Sequence, residues 1–327
     1  MRYILRRVGF YLIALWASIT INFILPRLIP GDPVAAMLAR SSISVTPAQL
    51  KALQAILGVP KTPLWIQYFQ YIQDLLQGNL GISLTHYPDT VVSVISQELP
   101  WTLGLVGLAS ILSFLLGTLL GIIVSWKRDS WLDSLLTPIL MFISSIPYFW
   151  IALVLVLTLG LALHWFPVVG GYDFSMNISL SFDFIGNVIY HGILPALTIV
   201  LSSIAGWLLT MRNSMITTLS EDYVLMAQAK GLTDRRVMLA YAARNAVLPN
   251  ITGFALNLGL VVGGSLLTEI VFSYPGLGFQ LFNAVTNLDY SLIQGIFLVI
   301  ALTVLISNFV ADLVYAWLDP RIRQERQ

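Results

Sequence analysis

Six apolar stretches divide the chain, at residues 8–29, 100–126, 134–163, 191–216, 250–272 and 291–317. A spanning helix needs about 20 predominantly apolar residues, and each stretch is long enough to supply them. The first follows Arg2, Arg6 and Arg7, as a secretory signal would. Its apolar run is too long for a signal, and it ends in Leu28-Ile29-Pro30-Gly31-Asp32-Pro33 rather than a small-x-small cleavage site, so it reads as an uncleaved first helix. The pattern predicts an all-α integral membrane protein with six transmembrane helices. Four segments follow: a tail and first helix over 1–30, a hydrophilic insertion over 31–98, a core of five helices over 99–317, and a tail over 318–327.

Composition agrees with that pattern. Hydrophobic residues make up 57% of the 327 and charged residues only 10%, against roughly 25% charged in soluble domains. A surface so poor in charge requires lipid to cover it. The net charge of +1 gives no field that would attract nucleic acid. Cysteine is absent, which excludes disulfides, thiolate metal sites and cysteine nucleophiles. Cations cluster on one side of the spans. With the N-terminus inside, thirteen of the seventeen Lys and Arg are cytoplasmic, and only Arg27, Arg40, Lys51 and Lys61 lie outside. The positive-inside rule then places both termini in the cytoplasm.

Two polar insertions interrupt the spans. In the outer one, Thr46-Pro47 can start a helix running through Leu50, Leu53 and Ile56 to Gly58. A second amphipathic stretch runs from Pro63 through Trp65, Tyr68, Ile72 and Leu76 to Gly78. These predict a small helical cap, either lying at the headgroups through Trp65 and Tyr68 or touching a partner protein. The inner loop, 217–249, opens with Ser220-Glu221-Asp222, a capping hydroxyl followed by acids at the positive end of a helix dipole. Val224, Ala227 and Gln228 share a face by their spacing. Gly231 ends that helix, because glycine enters the left-handed conformation freely. Thr233 can cap a second helix that reaches about Asn245, ahead of Pro249.

The spans carry little chemistry. Glu269 and Asp312 are the main ionisable candidates, and both fall near span ends. Ion-coupled transporters place such groups, or broken helices, at mid-membrane. Gly117-x-x-x-Gly121 and Gly259-x-x-x-Gly263 predict close helix packing. Pro138, Pro147 and Pro195 interrupt helices three and four and can free carbonyls towards a cavity. Ser144, Ser145 and Tyr148, around the Pro147 break, are candidates to line a path, with Asn257 and Glu269. His86, His164 and His191 are far apart and show no ligand spacing, so no metal site is expected. No G-x-x-x-x-G-K-[ST] phosphate loop is present.

The inner loop resembles the cytoplasmic loop of membrane subunits in binding-protein-dependent ABC importers, whose pattern is Glu-Ala-Ala, three residues, Gly, then Leu-Pro. Leu225, Met226 and Ala227 stand at the Glu-Ala-Ala positions, Gly231 at the glycine, and Leu248-Pro249 at the end. The first two departures, and the long interval to Leu248, are typical of the dipeptide/oligopeptide/nickel branch. Further segments resemble that branch: Leu28 to Pro33, Ala229-Lys230-Gly231-Leu232, Arg244 to Pro249, Thr268 to Gly278, and Leu318-Asp319-Pro320-Arg321-Ile322-Arg323. The outer insertion is similar to that of a B-type permease.

The resemblance implies a type I ABC importer fold in the bacterial inner membrane. It implies a heterodimer with a homologous C-type permease, two ABC ATPase subunits and an extracytoplasmic binding protein. This chain would be non-catalytic and bind no cofactor, with ATP and Mg on the ATPase subunits. It would form half of a path for di- or oligopeptides, the alternatives being oligosaccharides, nickel or another small solute. The coupling loop would comprise Glu221, Tyr223, Val224, Ala227, Gln228, Lys230, Gly231, Leu232 and Thr233, with Ala227 allowing close approach to the ATPase. A stand-alone secondary transporter is the alternative of a different class.

Overall fold

A computed structural model describes residues 2–31, 34, 35, 38, 46, 62–128, 130–258, 261, 263 and 265–318, with side chains from Arg7 to Val310. The expected helix over 47–58, Gly259 and the side chain of Asp312 lie outside the described residues. Helix α1 spans Arg2–Ile24 and tightens into a 3₁₀ turn at Leu25–Leu28. It is followed by α2 (Leu64–Leu76), α3 (Val91–Trp126), α4 (Trp131–Ser145) and α5 (Tyr148–Leu155), the last continuing as a π turn over Val156–Ala162. Next come α6 (Phe182–Leu219), α7 (Asp222–Ala229), α8 (Asp234–Arg236), a π turn over Val237–Ala243 and α9 (Arg244–Ala246). The chain ends with α10 (Leu248–Asn257), α11 (Leu266–Val271), α12 (Leu277–Thr286) and α13 (Tyr290–Leu318).

Among the described residues, four helices are long and apolar enough to cross a membrane, or five if the bent pair α4–α5 is one span. The expected fifth span, 250–272, is instead two helices, α10 and α11, whose connection is only partly described. Of the three prolines expected to interrupt helices, Pro147 alone does so, with a 98° bend between α4 and α5. Pro138 and Pro195 sit inside continuous helices, where loss of one backbone bond is tolerated when neighbouring helices pack around it. Helix α3 begins nine residues before its apolar run, because the Thr90 hydroxyl accepts from the Ser93 amide at 3.2 Å and starts the helix there.

The chain divides into two compact units, and their boundaries differ from those of the apolar pattern. One comprises 1–102 with 275–309, and the other 103–274 with 310–327. In the first, the buried Asp289 organises the start of α13. One carboxylate oxygen accepts from the Leu292 amide at 3.1 Å, and the other from Ser83 Oγ at 2.6 Å and the Thr85 amide at 2.8 Å. A carboxylate at a helix N-terminus is favoured by the dipole and by the free amides there. Thr102 Oγ1 accepts from the Leu277 amide at 2.8 Å, which fixes the start of α12 in the same unit.

In the second unit α6 is the axis. Its Ile204, Ala205 and Leu208 pack with Ala109 of α3 and Leu140 of α4. Gly117 and Gly121 face α6 so closely that an added Cβ would lie 2.7 Å from the carbonyl oxygens of Ile204 and Leu208 respectively. The first pair of small residues is therefore a helix-packing face. Arg212 of α6 grips Asp133 of α4 through two bonds, Nε to Oδ1 at 3.1 Å and Nη2 to Oδ2 at 2.9 Å.

Candidate functional site

The second unit encloses a cavity of about 250 Å³ whose walls come from five helices and the segment joining α10 to α11. Helix α3 contributes Ser110, α5 contributes Tyr148, and α6 contributes Ser202, Ser203 and Trp207. Asn257 ends α10, Thr268 belongs to α11, and Ser265 precedes it. Among the described residues, none that lines the cavity carries a charge. Hydroxyls, one amide and an indole can meet a polar solute without holding it by a fixed charge. Passage through a site requires such contact, favourable enough to enter and weak enough to leave.

Packing holds these groups in place. The Trp207 ring meets Phe114 edge-on, with centroids 5.5 Å apart, and Phe254 at 6.0 Å. Phe114 and Phe254 are themselves stacked at 4.4 Å. Ser203 Oγ donates to the Ile199 carbonyl at 2.6 Å and shares a 2.9 Å bond with Ser113 Oγ. Below the cavity, the buried Asn250 donates to Thr118 Oγ1 at 3.0 Å and to the Trp207 carbonyl at 3.1 Å. The Thr268 hydroxyl is buried without a hydrogen-bond partner among the described residues, so the wall retains unmet polar capacity.

Tyr148 and Asn257, singled out from the sequence, do line this cavity. Ser144 and Ser145 do not. Their hydroxyls fold back onto the Met141 and Phe142 carbonyls at 3.0 and 2.7 Å, satisfying the end of α4 where Pro147 breaks it. Glu269 is fully buried one turn beyond Ser265, whose hydroxyl donates to it at 3.0 Å, and it lies outside the lining. Ser110, Ser202, Ser203, Trp207, Ser265 and Thr268 escaped sequence reasoning. The adjacent pair Ser202-Ser203, in the middle of an apolar run, was the signal available.

The loop between α6 and α10 folds as two helices around Gly231, whose φ of 75° places it in the left-handed region. Its caps differ from expectation. Glu221, not Ser220, is the N-cap position of α7, and neither it nor Thr233 makes a side-chain cap bond. The Ser220 hydroxyl donates back to the Thr217 carbonyl at 2.7 Å, spent on the end of α6. The second helix widens into a π turn in its middle rather than running as plain α-helix.

Val224 and Ala227 do not face outward. They are buried with Val237 against Trp126, Leu219, Leu232 and Tyr241. That cluster seats α7 on the ends of α3 and α6. Gln228, expected on the same face, is exposed, as are Glu221, Tyr223, Lys230, Gly231 and Thr233, while Leu232 is half-buried. The apolar surface α7 offers outward is therefore Leu225 and Met226, 49% and 59% exposed. Tyr223 is tied to the following helix through its hydroxyl, which accepts from Asn245 Nδ2 at 2.9 Å.

Comparison with known proteins bears on both features. Residues 117–324 match the family described as binding-protein-dependent transport system inner membrane component, and residues 1–106 match the N-terminal part of such membrane components. A peptide permease described as putative in Brucella suis biovar 1 is 36% identical over 323 residues, covering 99% of each chain. The di/tripeptide transport system permease DppB of Pseudomonas aeruginosa is 35% identical, with 99% of each chain covered. The dipeptide transport system permease DppB of Escherichia coli K12 is 32% identical over the full length of both.

Proposed function

Because this chain belongs to the family of binding-protein-dependent transport system inner membrane components, and is thus the membrane permease of an ATP-driven importer, we propose that its cargo is a di- or oligopeptide and that α7 couples its spans to a partner ATPase. The permease itself is non-catalytic, ATP hydrolysis belongs to separate subunits, and the assembly includes a substrate-binding protein. It is a multi-pass protein of the inner membrane. The finer composition is part of the proposal: a heterodimer with a C-type permease and two ATPase subunits, which hold ATP and Mg. Both termini face the cytoplasm in this reading, on the side where thirteen of seventeen cations gather.

The observation that carries the coupling role is the seating of α7. Its inner face is locked to the ends of α3 and α6, and its outer face presents Leu225 and Met226. A partner that moves these two side chains moves both spans, a rigid-body transition driven from a ligand-binding subunit. Peptides suit an uncharged wall of hydroxyls and an amide, since peptide groups are neutral donors and acceptors whatever side chains they carry.

Gly231 supplies the test. Its surroundings are open, with nothing within 4 Å of an added Cβ, so only its positive φ resists substitution. Valine there costs about 1–2 kcal/mol of backbone strain, whereas asparagine visits that region readily. In the reconstituted complex, Gly231→Val is expected to keep ATPase activity but lose stimulated peptide uptake, and Gly231→Asn to keep both. Undiminished uptake by Gly231→Val would remove α7 from the coupling path. Competition among dipeptides, nickel and oligosaccharides in the same assay decides the cargo, and uptake driven by an ion gradient without ATP would overturn the whole reading.

A further inference from the structure

Helix α2 is inside out by the standards of a water-facing cap. Trp65, Phe69, Ile72 and Leu76 form one stripe, three of them exposed by 66%, 65% and 85% in that order with Ile72 half-buried. The opposite stripe is Gln67, Gln70, Tyr71 and Asp74, and Gln67 is only 6% exposed. Gln70 and Asp74 of that stripe are exposed and Tyr71 is half-buried, so Gln67 alone turns fully inward, while the apolar stripe faces outward as on a helix lying against lipid.

Its depth can be read from its partners. Gln67 Oε1 accepts from Arg27 Nε at 3.2 Å, Tyr71 from Asn22 Nδ2 at 3.3 Å, and the Tyr68 hydroxyl meets Thr20 Oγ1 at 2.7 Å. These partners retreat along α1 from Arg27 to Thr20, inside the apolar span Arg7–Leu28. At 1.5 Å per residue, the Tyr68 hydroxyl meets α1 about 12 Å before Leu28. On α1, Trp16, Ile21, Ile24 and Leu28 are exposed and apolar as well.

Behind α2, at the level of the last turn of α1 and the first turns of α13, lies a polar cavity of about 240 Å³. Arg27, Gln70, Tyr71, Asp74, Asn79 and Gln294 contribute to its wall. The Arg27 guanidinium lies 3.6 Å over the Phe23 ring, donates Nε to Gln67 and Nη1 to the Phe23 carbonyl at 2.6 Å, and meets no carboxylate within 4.0 Å among the described residues. Its Nη2 protons remain for a ligand. Asp74, exposed at the same cavity, offers a carboxylate for a cation.

We propose that this cavity is a phospholipid headgroup site that takes a zwitterionic phosphoethanolamine group, with the phosphate on Arg27 and the ammonium on Asp74. Arginine binds phosphate through paired charge-assisted bonds, and a polar pocket opening beside lipid-exposed helices at span-end depth meets headgroups before any other anion.

The delipidated full complex is titrated with phosphatidylethanolamine, phosphatidylglycerol or inorganic phosphate, and bound lipid is read by native mass spectrometry. The unmutated complex retains phosphatidylethanolamine in preference to phosphatidylglycerol, Arg27→Gln binds both at least about tenfold more weakly, and Asp74→Asn loses the preference. Equal retention by Arg27→Gln overturns the proposal. So does inorganic phosphate that displaces the lipid, which would make this a free-anion site. A second readout leaves the cavity intact. The chain has no cysteine, so a nitroxide on Phe69→Cys, read against the unmutated complex, reports α2 alone. It is expected to be open to oxygen and shielded from a water-soluble nickel chelate, and exposure to the chelate overturns the proposal.

Discussion

Replacing Gly121 with alanine adds one methyl group at a close contact between α3 and α6. That carbon would lie 2.7 Å from the Leu208 carbonyl oxygen and 2.7 Å from Met211 Cβ, where 3.4 Å is ordinary contact. Neither neighbour is the loose end of a side chain, so α6 must move off by about 0.7 Å or strain. Overpacking of this kind costs about 1–3 kcal/mol. Alanine also favours the helix over glycine by about 1 kcal/mol, which hides part of the cost. Gly104, on the same helix, removes that ambiguity, since nothing lies within 4 Å of its added Cβ. Gly104→Ala and Gly121→Ala share the propensity gain and differ in the clash. Their stabilities in detergent, from reversible denaturant titration of the purified chain, are expected to differ by about 1–3 kcal/mol, with Gly121→Ala the weaker. Equal stability would refute the close approach of α3 and α6.

The Asp133–Arg212 pair has a buried carboxylate and a half-buried guanidinium, 8% and 23% exposed. Asp133→Ala is expected to cost about 1–3 kcal/mol, and Asp133→Leu with Arg212→Met to recover part of it, as a denaturation cycle measures. Val224→Ala removes two methyl carbons from beneath α7 and should lower stability by about 1–1.5 kcal/mol. Met226→Glu, on the exposed face, should leave stability unchanged but release the ATPase subunit on size-exclusion chromatography. Bonds from the Ser175 amide and side chain hold the exposed Asp173 carboxyl below its ordinary 3.8. A depressed carboxylate stabilises its turn above the ordinary value and loses that support as pH falls through the lowered one. Hydrogen exchange at the Ser175 amide should therefore stay slow until the pH drops below 3.8.

The unbroken spans are legible in the sequence and the broken ones are not. The apolar runs 8–29, 100–126, 191–216 and 291–317 fall in α1, α3, α6 and α13, because uninterrupted apolar residues in lipid have no alternative to helix. Gly231 is legible for a similar reason: one residue type fits one backbone region. Pro147 is not distinguishable in sequence from Pro138 or Pro195, since what decides a break is whether neighbours absorb the lost bond. Val224 and Ala227 are legible as one helix face, but not as the inward one. Their partners Trp126 and Leu219 come from helices far apart in sequence. The cavity wall is harder still. Ser110, Ser202 and Thr268 are ordinary residues of apolar helices until three helices converge on them.

In the coupling proposed above, the seat of α7 sets the gearing. It rests on Trp126 and Leu219, while the cavity is reached at Ser110 and Ser203. Each pair is separated by sixteen residues of unbroken helix, so the two arms are equal, about 24 Å at 1.5 Å per residue. A tilt of about 10° at the base displaces both walls by about 4 Å, on the order of a peptide backbone's width. Equal arms turned by one pivot swing in step. A partner's stroke of that modest size is enough to change the bore, with neither helix having to bend.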